Sequence, residues 1–269
     1  MDRLKKIMAL LRDPEHGCPW DLEQSLPSLT RYTLEEVYEV VDAVESGNPE
    51  SLRDELGDLL FQVVFYARIA EEDGLFDFDD IVAGICDKLL RRHPHVFPGG
   101  ELERFGQHQA LDAQQVVSNW ETIKNAEREQ KSRESGSKAS ILDDIPRALP
   151  ALERSLKMQK RAARVGFDWS SVSPVLDKFK EEIGELEEAV ASNNEDAINH
   201  EMGDLLFAAV NLARHINVEP ENALREANRR FARRFAFIEE QLELDNLHPE
   251  EVALEKLDEL WDAAKRKGL

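Results

Sequence analysis

Cysteine is nearly missing from this chain: the 269 residues contain two, Cys18 and Cys86, far apart and without ligand spacing. That excludes a disulfide framework and a thiolate metal site, and it points to a reducing compartment. Long apolar runs are also missing. None approaches the roughly eighteen residues of a membrane span, and the short apolar run of residues 1–12 is followed at once by Arg12 and Asp13, unlike a signal peptide. The expected location is the cytoplasm. There is no G-x-x-x-x-G-K-[ST] loop and no dinucleotide-binding glycine fingerprint, which disfavours P-loop and kinase chemistry. No convincing alternation of β-branched residues occurs, so strands are not expected. Positive charge is scarce, with 34 Lys and Arg against 55 Asp and Glu and a net charge of −21. Such a chain has no general attraction for nucleic acid or anionic membrane, and a polyanionic ligand needs a local basic patch or metal ions to approach.

What is abundant is acid in a particular order. Glu181, Glu182 and Glu185 are followed by Glu201 and Asp204. Residues three or four apart share a helix face, so Glu182 with Glu185 and Glu201 with Asp204 form two same-face carboxylate pairs. If neighbouring antiparallel helices turn these pairs toward each other, the repulsion calls for a cation, and all-oxygen donors favour a hard ion such as Mg2+ or Mn2+. The competing reading is a solvated acidic face. Against it stands the run from Leu205 to Val210, apolar on every side, which predicts a helix buried all round.

The block occurs twice. Glu35, Glu36, Glu39, Glu55 and Asp58 repeat the same acids 146 residues earlier, and a chance solvated face would not keep both spacing and flanks. Lys88 and Arg92 echo Arg230 and Arg234, and Trp120 with Lys124 echoes Trp261 with Lys265. A looser echo joins Gly17–Trp20 to Gly166–Trp169. The chain is therefore one unit duplicated: domains at 1–134 and 142–269, with a linker at 135–141 inside a polar stretch that begins near Glu129.

Helical periodicity dominates both copies. In the first, helices are expected near 1–12, 28–45, 49–73 and 78–92, then a loop over 97–110 and a helix carrying Trp120 and Lys124. In the second they are expected near 147–165, 173–192, 194–216, 220–243 and 249–267. Turns of two or three residues, at Gly47-Asn48 and Asn193-Asn194, make each acid-bearing pair antiparallel neighbours. Gly57 and Gly203 sit mid-helix and suggest a close backbone approach. Trp20 reads as a core or lid residue. His93 and His95 have no third partner and no metal role. Lys88 and Arg92 fit a helix C-terminus as well as they fit a ligand.

Acids for divalent cations, a basic face and an aromatic together suit a metal-bound polyphosphate carrying a flat base. The pattern E-E-x-x-E, spacer, E-x-x-D, doubled and followed by Gly-Asp-Leu-Leu-Phe in both copies, resembles the all-α nucleoside triphosphate pyrophosphohydrolases of the MazG type. The resemblance covers essentially the whole chain. It implies two tandem helical domains, four-helix-bundle sites in a homodimer, and Mg2+-dependent hydrolysis of NTPs and dNTPs to monophosphate and pyrophosphate. It also implies metal ligands at Glu182, Glu185, Glu201 and Asp204, and at Glu36, Glu39, Glu55 and Asp58. Arg230, Arg234, Lys265 and Lys178 would meet phosphates, Trp261 would lie near the nucleotide, and Glu181 or Glu35 would orient or deprotonate water. Narrower rivals are a dUTP or dCTP pyrophosphatase and a phosphoribosyl-ATP pyrophosphohydrolase, and the rival from another class is a non-catalytic helical metal-binding interaction protein. Pro94 and the Gly-rich loop after it disturb the basic half of the first copy, so the second is expected to carry most of the activity.

Overall fold

Short turns decide the architecture, because a chain that reverses in two residues lays the flanking helices side by side. The computed structural model describes residues 1–107, 111–135 and 140–269, and among these there is no strand. They form two compact units, Met1–Lys131 and Ser132–Leu269. The centre of the expected linker, 136–139, lies outside the described residues.

In the first unit, α1 (Asp2–Leu11) and a short α2 (Pro19–Glu23) precede α3 (Thr30–Ser46), α4 (Pro49–Glu72), α5 (Phe78–Arg92) and α6 (Ala113–Ser135). The sequence pattern places no helix where α2 forms and a polar linker where α6 continues. The run from Glu129 to Ser135 stays helical because Glu, Gln, Lys and Arg are good helix formers whatever faces them. The expected loop over 97–110 contains two single-turn 3-10 segments, at Pro98–Gly100 and Leu102–Arg104. Gly47 ends α3 with φ of 67°, and Asn48 caps α4 by accepting from the amides of Glu50 and Ser51. Met8, Leu29, Val64, Phe65 and Ile69 make the core that joins α1 to α4.

The second unit repeats the plan with α7 (Ala151–Arg164), α8 (Val172–Ser192), α9 (Glu195–His215), α10 (Pro220–Leu244) and α11 (Leu254–Arg266). Asn193 takes the left-handed conformation at φ of 51°, and the Asn194 side chain accepts from the Ala197 amide. The last helix begins later than its pattern suggests, since Pro249–Glu251 makes a separate 3-10 turn. In both units the acid-bearing helices, α3 with α4 and α8 with α9, are the most extensively packed pair.

Two expectations fail. The run after Asp204 is not buried all round: Leu206 is 51% and Phe207 43% exposed, and Leu56, Leu60 and Val63 of α4 are likewise open. A Cβ built on Gly57 or Gly203 meets nothing within 4 Å, so among the described residues no backbone approaches either glycine. One physical reason covers both, because no described segment of the same unit covers that side of the acid-bearing pair. No helix among the described residues is long and apolar enough to cross a membrane.

Candidate active site

Packing α8 against α9 converges the second copy's acids. Glu182, Glu185 and Glu201 each offer an oxygen within 4.8 Å of the others, and His200, Glu201 and Asp204 form an overlapping group. Glu182 is only 6% exposed. A carboxylate so placed needs a partner, and Lys178 supplies one from the preceding turn. Its Nζ lies 2.8 Å from Glu181 Oε1, 2.8 Å from Glu182 Oε1 and 3.9 Å from Glu185 Oε2. The hydrogen bonds to Glu181 and Glu182 hold the ammonium more firmly protonated than usual. Desolvation pushes the Glu185 carboxyl up, and the charges of Glu182, Glu181 and Glu201 add to this while Lys178 opposes it. His200 Nδ1 sits 3.1 Å from Asp204 Oδ2 and 3.4 Å from Glu201 Oε1.

The first copy gathers Glu36, Glu55 and Asp58 in the same way. Here neither Lys178 nor His200 is repeated: 146 residues before Lys178 stands Tyr32, and before His200 stands Asp54. Burial raises the Glu36 carboxyl, and Asp58, Glu39 and Glu55 raise it further against a hydrogen bond from Gln62. Glu55 is raised by desolvation and then by Glu39, Asp58 and Asp54. Glu39, expected as a ligand, contributes its charge but lies outside the tight group.

The basic residues sit elsewhere in their units. Arg229, Arg230 and Arg233 cluster on Glu226, and Arg234 donates from Nε to the Leu269 carbonyl at 2.7 Å and lies 5.3 Å over the Trp261 ring. Phe231 packs against Trp261 as well, and Lys265 pairs with Asp262 at 3.1 Å. In the first unit Arg91 and Arg92 both bind Glu127, whose carboxyl is lowered to about 2, chiefly by the Arg92 hydrogen bond. Lys88 is exposed, Lys124 lies 5.5 Å over the Trp120 ring, and His93 meets Trp120 edge-on.

What does adjoin the second acid cluster is a cavity of about 380 Å³, walled by Phe167, Trp169, Val175 and Phe207 and reaching Lys178, Glu182 and Asp204. Arg230, Arg234, Trp261 and Lys265 are not among its lining residues. Its rim is fastened by charge. Arg214 grips Asp168 through Nη1 at 2.8 Å and Nη2 at 2.5 Å, His215 Nε2 lies 3.0 Å from Asp168 Oδ1, and Asn211 Oδ1 accepts from Arg214. The Arg214 guanidinium, and then His215, hold the Asp168 carboxyl well below the usual range. Sequence reasoning missed Asp168, Asn211 and Arg214. The only signal was the loose echo at Gly166–Trp169.

An oxygen-only set of converging acids suits a hard divalent cation. In the second set the Lys178 ammonium lies against the acids of its own helix.

Comparison with known proteins places this geometry in a lineage. The profile of the MazG nucleotide pyrophosphohydrolase domain matches residues 24–97, and that of phosphoribosyl-ATP pyrophosphohydrolase matches residues 149–231. The chain is 51% identical to the nucleoside triphosphate pyrophosphohydrolase of Escherichia coli strain K12, covering all of this chain and 98% of that protein. It is 42% identical to the nucleoside triphosphate pyrophosphohydrolase/pyrophosphatase MazG of Thermotoga maritima, over 98% and 95% of the two chains. The uncharacterized protein YabN of Bacillus subtilis is 41% identical over 97% of this chain and half of its own length.

Proposed function

The chain belongs to the MazG nucleotide pyrophosphohydrolase family, and from that premise we propose that it hydrolyses nucleoside triphosphates to monophosphate and pyrophosphate at the acids of its second unit. The observation that carries this placement is the adjacency of Glu182 and Asp204 to a cavity large enough for a nucleoside. Glu182, Glu185, Glu201 and Asp204 would hold Mg2+, or Mn2+ in its place. When bound, such a cation supplies charge neutralisation on the triphosphate and acidifies water.

The chain's own groups do the rest. Water attacks the α-phosphorus in line, the α–β bridging bond breaks, and pyrophosphate departs with the electron pair. Glu181, exposed and held by Lys178, would take the water's proton. Lys178 would move from its carboxylates to the substrate phosphates once metal charge replaces its own, offsetting charge on the leaving group.

Arg230, Arg234, Lys265 and Trp261 are kept in this reading as phosphate and nucleotide contacts supplied by a second copy of the chain. The uncovered apolar side of α8 and α9, with Leu206, Met202 and Ile183 exposed around Gly203, is what a homodimer would bury. The profile match over 149–231 favours a narrower second reading, phosphoribosyl-ATP as substrate. A panel of NTPs, dNTPs and phosphoribosyl-ATP with Mg2+ tests both. Monophosphate plus pyrophosphate from several NTPs supports the first reading. Turnover of phosphoribosyl-ATP alone supports the second, and diphosphate plus phosphate, or no turnover at all, contradicts the assignment.

A further inference from the structure

The acids assigned to the cation in the second unit fall into two overlapping groups. Glu182, Glu185 and Glu201 form one, His200, Glu201 and Asp204 form the other, and Glu201 belongs to both. The first group offers oxygen alone. The second adds an imidazole nitrogen that the mechanism above does not use.

His200 stands one position before Glu201 and four before Asp204 on α9, so it shares a face with Asp204 one turn away. Its Nδ1 lies 3.1 Å from Asp204 Oδ2 and 3.4 Å from Glu201 Oε1. A divalent ion that holds its ligands at about 2.1 Å and at right angles separates neighbouring donors by about 3 Å. The nitrogen and the two oxygens therefore stand close to the spacing of a shared coordination shell. The His200 side chain is 72% exposed, so it is open to an entering ion and is not placed there by burial.

The duplicated unit supplies an internal control. In the first copy the matching residue, 146 positions earlier, is Asp54. It accepts from the Arg53 guanidinium and is not part of the converging group of Glu36, Glu55 and Asp58. One copy thus gathers oxygens, and the other gathers oxygens and a nitrogen. That difference bears on the choice of ion. Carboxylate and water suit Mg2+, whereas imidazole suits later first-row divalent ions such as Ni2+ and Zn2+.

We propose that His200 is a metal-selecting ligand of the second unit, joining Glu201 and Asp204 around the cation and shifting that site's preference from Mg2+ toward first-row transition-metal ions. The oxygen-only set of the first unit keeps to hard ions. The inference rests on the metal-dependent reading above and specifies which ion its site prefers.

The test is calorimetric titration of the untagged full chain with Ni2+ and, separately, with Mg2+, without nucleotide and at about pH 8, above the usual histidine range. Glu55→Gln with Asp58→Asn, which disables the first set, is the background for every titration. His200→Gln exchanges a nitrogen donor for an oxygen at an exposed position. It should weaken Ni2+ binding by about tenfold or more, the scale on which changes around a metal alter its affinity, and Mg2+ binding by less than about threefold. Glu201→Gln with Asp204→Asn, leaving His200 in place, should weaken Ni2+ binding at least as much. Unchanged Ni2+ affinity in His200→Gln, or equal losses for the two ions, overturns the inference. Full Ni2+ affinity without the two acids also overturns it, because the imidazole would then bind alone. Binding of neither ion by the background protein would instead bring down the metal-dependent reading on which the inference rests.

Discussion

The two copies keep the same acids and differ in what surrounds them. Along the equivalent stretch of helix, Phe65, Arg68 and Ile69 of the first copy stand where Asn211, Arg214 and His215 stand in the second. In the first, Phe65 and Ile69 complete an apolar core and Arg68 turns to Glu71 and Glu72, while buried Arg12 also grips Glu72. In the second, Arg214 and His215 bind Asp168, Asn211 Oδ1 accepts from Arg214, and a cavity is left beside them. The acids show the same divergence, with a lysine and a histidine beside one set and Tyr32 and Asp54 in the matching positions of the other. Shared acids therefore mark shared ancestry, and the proposal that the second copy receives the nucleotide rests on the neighbours of its acids.

The comparison is broken most sharply by exchanging its key residue. Asn211→Phe puts into the second copy the side chain that occupies the first, and it should lower kcat/KM for ATP by at least about a hundredfold as the cavity fills. A thermal melt accompanies the assay to show that the protein is folded. The reverse change, Phe65→Asn, should destabilise the first unit by about 3–5 kcal/mol, through lost burial and a polar group set in an apolar core. Urea unfolding of the full chain measures this, and it should confer no activity.

Asp168→Asn comes next. It removes the carboxylate facing the mostly buried Arg214 and should cost about 1–2 kcal/mol, less than a fully buried pair because Asp168 keeps some exposure. The sign with pH follows from a depressed carboxyl. Its stabilisation is complete above the unfolded value near 4 and disappears as pH falls through the lower folded value. Melting temperatures of wild type and variant should thus differ at pH 7 and converge in strong acid.

The smallest effect concerns compensation within the acid sets. Burial and neighbouring carboxylates raise Glu36, so its contribution to stability is fullest below the unfolded pKa and is lost as pH climbs through the raised folded value. In metal-free protein at neutral pH, Glu36→Gln should raise the melting temperature slightly, and added Mg2+ should stabilise wild type more than the variant. Glu182→Gln should give no such rise, because Lys178 already neutralises that carboxylate. Matching shifts for the two variants would show that the copies are compensated alike.

Much of the fold could be read from the sequence, because its determinants are local. Asn48 and Asn194 lie in the short turns that the sequence marks and cap the helices that follow, and the two-residue turns dictate antiparallel acid helices. The duplication located the acids without any structure. What escaped was set by contacts far apart in sequence. The rim of the cavity depends on Asp168 meeting Arg214 and His215, and no periodicity announces that. The reading of Leu205–Val210 as buried all round, and of Gly57 and Gly203 as close-approach sites, starts from an apolar face that no described segment of the unit covers. Pattern analysis sees an apolar face but not whether the fold covers it.

The claim that the second copy performs the chemistry is tested most directly by kcat for two paired variants, Glu55→Gln with Asp58→Asn, and Glu201→Gln with Asp204→Asn, each assayed with ATP and saturating Mg2+. The account predicts a loss of at least about a hundredfold for the second pair and a change within about threefold for the first. Equal losses, or a larger loss from the first pair, would contradict it.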